Sequence, residues 1–270
     1  MVKICLDIVR NVVRFLKNNK IYIGDSSIIL DNIENDSIDL VVTSPPYCVG
    51  KEYGKYDDNM KYGDYLQMLA IVFRKCFNVM KDHSFICINI GRNSGINTVT
   101  HISYLLAKIG FKYVHNIQWK KPYGAGIITF FHKYPFGRYY MPVLITEDIL
   151  VYSKGKINGN RGERISKIPE DIEKKYDTNV WEINPKTDSD HPAPFPLQLP
   201  LNCIYFYSNE GDTVLDPFLG SGTTTKAAVI AGRNSIGIEL NKDYLPIIKK
   251  HVGYGQQKLG EDIKYEIIGE

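Results

Sequence analysis

Residues 212–244 read "DTVLDPFLGSGTTTKAAVIAGRNSIGIELNKDY", and the order of punctuation in this stretch decides the fold. Val214 and Leu215 continue an apolar strand over 213–217, which Asp216-Pro217-Phe218 brings to a stop. Gly220 and Gly222 then form a turn that opens a helix over 222–232. A second strand over 235–240 carries Glu239 near its end. A strand, a glycine turn, a helix and a strand ending in an acid about 20 positions on form the layout of a Rossmann-like nucleotide site. The glycines let backbone approach a ligand, and the acid can bond ribose hydroxyls.

The turn is not G-x-G-x-x-G, and it holds an acid and a proline where a phosphate cradle would sit. Asp216 would repel a pyrophosphate but welcome a cationic amino-acid moiety. That preference favours S-adenosylmethionine over NAD or ATP. A glycine turn that served packing alone would not need Ile-Glu-Leu at this distance.

Outward from this stretch, short β-branched runs alternate with amphipathic segments of helical length, the pattern of a mostly parallel sheet with helices on both faces. Strands are expected at 20–24, 39–44, 84–90, 112–119, 148–153, 213–217 and 235–240, a seven-stranded sheet. Helices are expected at 4–18, 63–80, 98–109, 199–208, 222–232 and 242–251. Two stretches break the rhythm: 121–147, with glycines and prolines among aromatics, and 155–195, polar and weakly periodic. Loops of this length inside a compact domain are usually functional.

The run "LVVTSPPYCVG" at 40–50 raises its own question, because an apolar strand ends in a hydroxyl, two prolines and an aromatic ring. Proline fixes φ, lacks an N–H and pushes the preceding residue toward extended geometry, so Thr43-Ser44-Pro45-Pro46 is a stiff terminus beyond a strand end. Such a terminus can hold the Ser44 hydroxyl and the Pro45 carbonyl as two acceptors facing the two hydrogens of an amine. Tyr47 offers a stacking wall, and its ring rather than its hydroxyl is the part expected to act.

Composition sets the outer limits. With 270 residues, 44% of them hydrophobic, the chain can build one sizeable α/β domain carrying an insertion. No apolar run approaches the roughly 18 residues that span a bilayer, and the first 20 residues scatter charges among apolar positions, so a cytoplasmic protein is expected. The five cysteines include no C-x-x-C and the histidines no H-x-x-x-H, so buried thiols are expected and no metal site. Net charge is +3, but between Lys120 and Tyr176 eleven Lys/Arg face six Asp/Glu. A basic segment interleaved with Tyr, Phe and His suits a polyanion, although an ordinary solvated face would have the same charge.

"TSPPY" followed much later by "DPFLGSGTT" resembles the amino-methyltransferases of DNA, specifically the permuted β group in which the catalytic motif precedes the cofactor motif. "IYIGD", "FICINIGR", "IQWKKP" and "HPAPFPLQLP" are similar to further family segments in the expected order. The resemblance implies a Rossmann-like S-adenosylmethionine-dependent methyltransferase fold with a DNA-recognition insertion. Residues 1–120 would form the catalytic half, 121–190 the target-recognition region including a core strand near 148–153, and 191–270 the cofactor half. Ser44, Pro45, Pro46 and Tyr47 match the catalytic tetrapeptide. Asp216, Phe218, Gly220, Ser221, Gly222, Thr223 and Thr224 match the cofactor loop, Glu239 the ribose acid and Asp25 the adenine contact, with Phe195 and Pro196 completing the methionine pocket.

The implied partner is double-stranded DNA, with the target base flipped out of the helix. Its contacts are expected at Lys120, Lys121, His132, Lys133, Arg138, Lys154, Lys156, Arg161 and Arg164. In the family, Ser at the first tetrapeptide position leans toward cytosine-N4 transfer, with adenine-N6 the alternative. A restriction-modification setting is implied, with a separate cognate endonuclease and a monomeric or homodimeric methyltransferase. A DNA-binding protein without catalysis and a small-molecule methyltransferase are the competing classes.

Overall fold

The computed structural model describes residues 19–47, 52–53, 56–57, 60–91, 97–122, 144–156, 166–185, 196–253, 257–258, 261–262 and 265–269. In chain order the strands of its main sheet are β1 (Asn19–Ile23), β2 (Ile38–Thr43), β3 (Met80–Ile90), β4 (Lys112–Lys120), β5 (Thr146–Ser153), β6 (Val180–Glu182), β7 (Thr213–Asp216), β8 (Asn234–Glu239) and β9 (Tyr265–Ile268). The helices are α1 (Ser26–Ile29), α2 (Tyr62–Val79), α3 (Thr98–Ile109), α4 (Glu170–Tyr176), α5 (Gln198–Tyr207), α6 (Thr223–Ile230) and α7 (Leu245–Val252). The sheet order is β9-β1-β8-β7-β2-β3-β5-β4-β6. Only β5 runs against its neighbours.

All six residues of β2 are buried, as a central strand covered on both faces requires. Alternate side chains feed two cores. Val41, Ile86, Ile88, Ile90, Leu150 and Leu215 pack with α2 and α3, while Leu40, Val42, Cys87, Ile149, Val151 and Val214 pack with α4, α5 and α6. Helix α2 forms because Tyr65, Leu69, Val72, Phe73, Cys76 and Val79 recur on one face and bury together. Helix α3 starts where the Asn97 side chain accepts from the Thr100 N–H at 3.2 Å and stops at Gly110. A third cluster of Ile21, Leu219, Ile248, Val252 and Tyr265 seats α7 against the far edge.

The sheet has nine strands instead of the expected seven. Strand β6 pairs with β4 through Gln118↔Val180 to Lys120↔Glu182, and β9 pairs with β1 from Asn19↔Tyr265 to Tyr22↔Ile268. Both are edge strands of three or four residues, too short to display a period. Helix α4 was hidden for the same reason, since it buries only Ile172 and Tyr176. Strand β3 starts four residues before the expected 84, across the polar Lys81-Asp82-His83, with His83 at φ 63° and a register shift opposite Ile38/Leu40.

The expected helix over 4–18 lies outside the described residues. Cys76, Cys87 and Cys203 are buried free thiols. Cys5 and Cys48 fall outside the described set. No described helix is long and apolar enough to cross a membrane.

Phe73, fully buried on α2, meets Phe218 of the 216–222 turn edge-on at 6.5 Å between ring centroids. Phe73→Ala should therefore lower stability by about 3–5 kcal/mol, read as a shift in the urea midpoint at unchanged slope. An unmoved midpoint would show that this contact does not support the turn.

Candidate active site

From β2 the chain proceeds through α2 to β3 on one side, whereas from β7 it proceeds through α6 to β8 on the other. Strands β2 and β7 are nevertheless adjacent and parallel, in register at Leu40↔Val214 and Val41↔Leu215. Their carboxyl ends therefore form a topological switch point, where open α/β sheets bind ligands. Thr43 closes it by donating from Oγ1 to Asp216 Oδ1 at 2.7 Å. Ser44-Pro45-Pro46-Tyr47 leaves β2 at this point, and the glycine turn leaves β7 beside it.

The turn is held from several sides. Asp216 Oδ1 also accepts from the Phe218 N–H at 3.0 Å, and the Leu219 N–H donates to the Ile238 carbonyl at 2.9 Å. Gly222 sits at φ 84°, a left-handed conformation that caps α6 without strain only for glycine. Glu239, at the end of β8, accepts from the Gly220 N–H at 2.7 Å and from the Asn241 N–H at 2.8 Å, one on each oxygen. Ser26 donates to the Pro217 carbonyl, and the Gly24 N–H donates to the Glu239 carbonyl at 2.8 Å, which docks the 24–26 segment on the turn. Asp25 is exposed there and caps α1 by accepting from the Ser27 N–H at 2.7 Å.

Two acids with no cationic side chain facing them among the described residues thus share one corner. Burial pushes the Asp216 carboxyl up to about 6, against the opposing pull of the Thr224 and Thr43 hydroxyls and the Phe218 N–H. Burial also pushes Glu239 up to about 7, opposed by the Asn241 and Gly220 N–H groups and aided by the Asp216 charge. Buried carboxylates beside a glycine turn fit a ligand that brings a positive charge and hydroxyl donors.

On the other side of the switch point lies a polar cluster around Ser44 and Tyr47, whose members Asn89 and Glu147 the sequence did not single out. Tyr47 donates to Glu147 Oε2 at 3.0 Å and lies 3.1 Å from Ser44 Oγ. Asn89 Nδ2 reaches both the Tyr47 hydroxyl, at 2.7 Å, and Glu147 Oε2, at 2.8 Å. Lys121 pairs with Glu147 Oε1 and lies 4.5 Å from the Trp119 ring centre. A Cβ on Gly91 would stand 2.8 Å from Tyr47 Cε2, so only glycine lets the ring lie where it does. The Tyr47 hydroxyl, expected to be idle, is the hub of this cluster. Asn89 and Gly91 belong to the "INIGR" run, which the sequence marked as a strand end and as part of a segment similar to the family's, with no role given to either residue.

A sequence profile described as DNA methylase matches residues 38–250, which include both corners of the site. The chain belongs to the N6/N4 DNA methylase family. It is 32% identical to the type II methyltransferase M.MjaI of Methanocaldococcus jannaschii, over 93% of this chain and 96% of that protein. It is 33% identical to the type II methyltransferase M.HpaI of Haemophilus parainfluenzae, over 83% of this chain and 70% of that one. Among solved structures it superposes with a TM-score of 0.70 on the Thermus thermophilus protein TTHA0409 in complex with S-adenosyl-L-methionine, at 26% identity over 93% of this chain and 98% of the other. The cytosine-N4-specific PvuII DNA methyltransferase shares the fold, with a TM-score of 0.67 at 20% identity over 90% and 88% of the two chains.

Members of this N6/N4 methylase family act on DNA with S-adenosylmethionine, and the buried acids and glycine turn fit that cofactor. The basic residues expected at DNA separate into groups. Lys120 and Lys121 lie at the site end of β4, paired with Glu182 and Glu147. Lys154 and Lys156 follow β5 at the opposite end of the sheet, where Ser153 pairs with Phe85 and Lys112, and Lys154 bonds Asp36 at 2.7 Å. The structure does not bring them to the site. His132, Lys133, Arg138, Arg161, Arg164 and Phe195, expected in the methionine pocket, lie outside the described residues, while Pro196 is buried just before α5.

The raised acids set a pH dependence. The folded protein holds protons that the unfolded chain has already released, so stability from this source is full below about pH 4 and is lost as pH rises through about 6 and then 7. Asp216→Asn keeps the shape and removes one titration. Without cofactor, the melting temperature of wild type minus that of Asp216→Asn should fall between about pH 4 and 6 and then level off. A difference that is flat with pH would remove burial as the cause.

Proposed function

We propose that this chain is a site-specific DNA methyltransferase of the permuted β group that methylates the exocyclic N4 of a flipped cytosine, within a restriction-modification system. The observation that carries this reading is the Thr43–Asp216 hydrogen bond, which sets the Ser44-Pro45-Pro46-Tyr47 terminus against the turn that fits the cofactor. Ser44 at the first tetrapeptide position favours cytosine. Adenine-N6 transfer is the second reading, because the same two acceptors suit either amine.

Asp216, Phe218, Gly220, Ser221, Gly222, Thr223 and Thr224 would hold the cofactor's methionine end with Phe195 and Pro196, and Glu239 and Asp25 its nucleoside. When bound, S-adenosylmethionine supplies a methyl group on a positively charged sulfur. The chain has to prepare the amine. A cytosine amino nitrogen is a poor nucleophile because its lone pair is delocalised into the ring. The Ser44 hydroxyl and the Pro45 carbonyl, accepting its two N–H bonds, would turn the amine out of that plane and return density to nitrogen. Extruding the base costs a few kcal/mol, and stacking on Tyr47 would return about 1–3 kcal/mol.

In this reading 1–120 and 191–270 are the catalytic and cofactor halves of one domain, and 121–190 supplies target recognition around β5 and β6. Lys120 and Lys121 lie at the sheet end nearest the tetrapeptide, and His132, Lys133, Arg138, Arg161 and Arg164 of the same basic segment would supply further contacts to duplex phosphates. A separate endonuclease would share the recognition sequence, and the enzyme would act as a monomer or homodimer in the cytoplasm.

Incubating plasmid DNA with the protein and S-adenosylmethionine, then resolving the nucleosides by mass spectrometry, tests the reading directly. N4-methylcytosine is the expected product; N6-methyladenine would replace the first reading with the second, and no methylated amine would end both. Asp216→Ala should weaken cofactor binding by more than tenfold, the scale of a charge-assisted contact of about 1.5–3 kcal/mol. Equal affinity by calorimetry would detach Asp216 from the cofactor.

A further inference from the structure

We infer that Glu147, acting through the Tyr47 hydroxyl, is a positioning residue that makes Ser44 a hydrogen-bond acceptor toward the target amine. The inference rests on the amino-methyl transfer proposed above and adds to it a cause for the direction of the Ser44 hydrogen bond. A serine hydroxyl can donate or accept. Only acceptance helps here, because a donor would engage the nitrogen lone pair that has to attack.

The direction follows from counting protons. Glu147 is a carboxylate paired with Lys121 through Oε1, so its Oε2 can only accept. The Asn89 atom facing Oε2 at 2.8 Å is therefore its NH2 group. That same NH2 group reaches the Tyr47 oxygen at 2.7 Å, where Tyr47 must accept. The opposite amide orientation would set Asn89 Oδ1 against the carboxylate, and in the orientation seen Oδ1 is buried with no hydrogen-bond partner among the described residues. An unpartnered buried acceptor is tolerated because the anion fixes the amide.

Among the described residues, the Tyr47 proton has Glu147 Oε2 at 3.0 Å and Ser44 Oγ at 3.1 Å to choose between. A hydrogen bond to an anion is roughly twice as strong as one to a neutral oxygen, so the proton goes to Glu147. The contact between Ser44 and Tyr47 must then be filled by the Ser44 proton. With that proton committed, the Ser44 lone pairs are what remains for an incoming N–H. Asn89 is 2% exposed, and the Glu147 and Lys121 side chains are 14% and 19% exposed, so water competes weakly for these bonds.

The supporting groups sit on paired strands. Asn89 is on β3 and Glu147 on β5, neighbours in register at Ile90↔Asp148. The absence of a side chain at Gly91, just after β3, lets the Tyr47 ring lie against this strand end. The hydroxyl is thus held from two paired strands at once.

Tyr47→Phe is the decisive variant, because it keeps the ring, the Glu147–Lys121 pair and the Asn89 contact to Glu147 while removing the hydroxyl between them. Single-turnover methylation of plasmid DNA should slow by about tenfold or more, the scale of one positioned hydrogen bond, with melting temperature, cofactor affinity and DNA affinity near wild type. Glu147→Gln should give a comparable loss in kcat with little change in KM. The double variant should be no slower than the slower single, since both changes break one chain of bonds. Tyr47→Phe at the wild-type rate, or losses that multiply in the double variant, would overturn the inference while leaving amine methylation by the wild type intact. A slow Tyr47→Phe whose loss is matched by weaker DNA binding would overturn it too. A wild type that methylates no base amine would instead remove the function proposed above, and this inference with it.

Discussion

The parallel pairing of β2 with β7 is the constraint on which the rest of the site depends. Only two residue pairs are in register between them, and the Thr43–Asp216 hydrogen bond completes the seam one step further on. Because the connections from the two strands depart in opposite directions, their carboxyl ends open a crevice between the segments that leave them. Those segments are the Ser44–Tyr47 terminus and the 216–222 turn. Residues separated by 173 positions in sequence become hydrogen-bonded neighbours. Remove the seam and each motif still has its local shape, but the two no longer face one reaction.

The seam also divides two ways of keeping acids under cover. On the β7 side, Asp216 and Glu239 are buried against backbone N–H groups and hydroxyls, with no cation facing them among the described residues, and burial raises both. That arrangement is costly in the empty protein and becomes favourable when a ligand brings positive charge and hydroxyl donors. On the β3 side, Glu147 is neutralised from within by Lys121 and receives Asn89 and Tyr47. The first pair is open to a partner from outside, whereas the second is an internal scaffold that fixes the direction of hydrogen bonds. The division matches the tasks of an N6/N4 methylase, which has to hold a charged cofactor and orient a neutral base in adjacent corners.

Rigid elements carry both corners. Val41 and Leu215 on one face and Leu40, Val42 and Val214 on the other commit β2 and β7 to opposite cores at once, so neither strand can slip without exposing a layer. The edge-on contact of Phe73 with Phe218 carries the packing of α2 into the 216–222 turn. At the far edge, α7 and β9 brace Leu219 of the same turn through Ile248, Val252 and Tyr265.

The sequence by itself determined the seven inner strands, the helices α2, α3, α5, α6 and α7 and both motifs, because long β-branched or amphipathic runs and glycine or proline stops are local signals. The meeting of Asp216 and Glu239 at one glycine turn and the stiff Ser44–Tyr47 strand terminus were legible for the same reason, since each is written in one short stretch of the chain. Short edge elements were not legible. Strands β6 and β9 and helix α4 each carry one or two buried residues, too few to set a period, and they exist because a neighbouring strand or core supplies the other half of the contact. The Tyr47 cluster was closed to sequence reading for a stronger reason. Asn89, Lys121 and Glu147 are ordinary polar residues in three separate segments, and only the antiparallel insertion of β5 between β3 and β4 brings Glu147 to Tyr47. Which atom donates to which is a property of that meeting in space, and no single segment of the chain contains it.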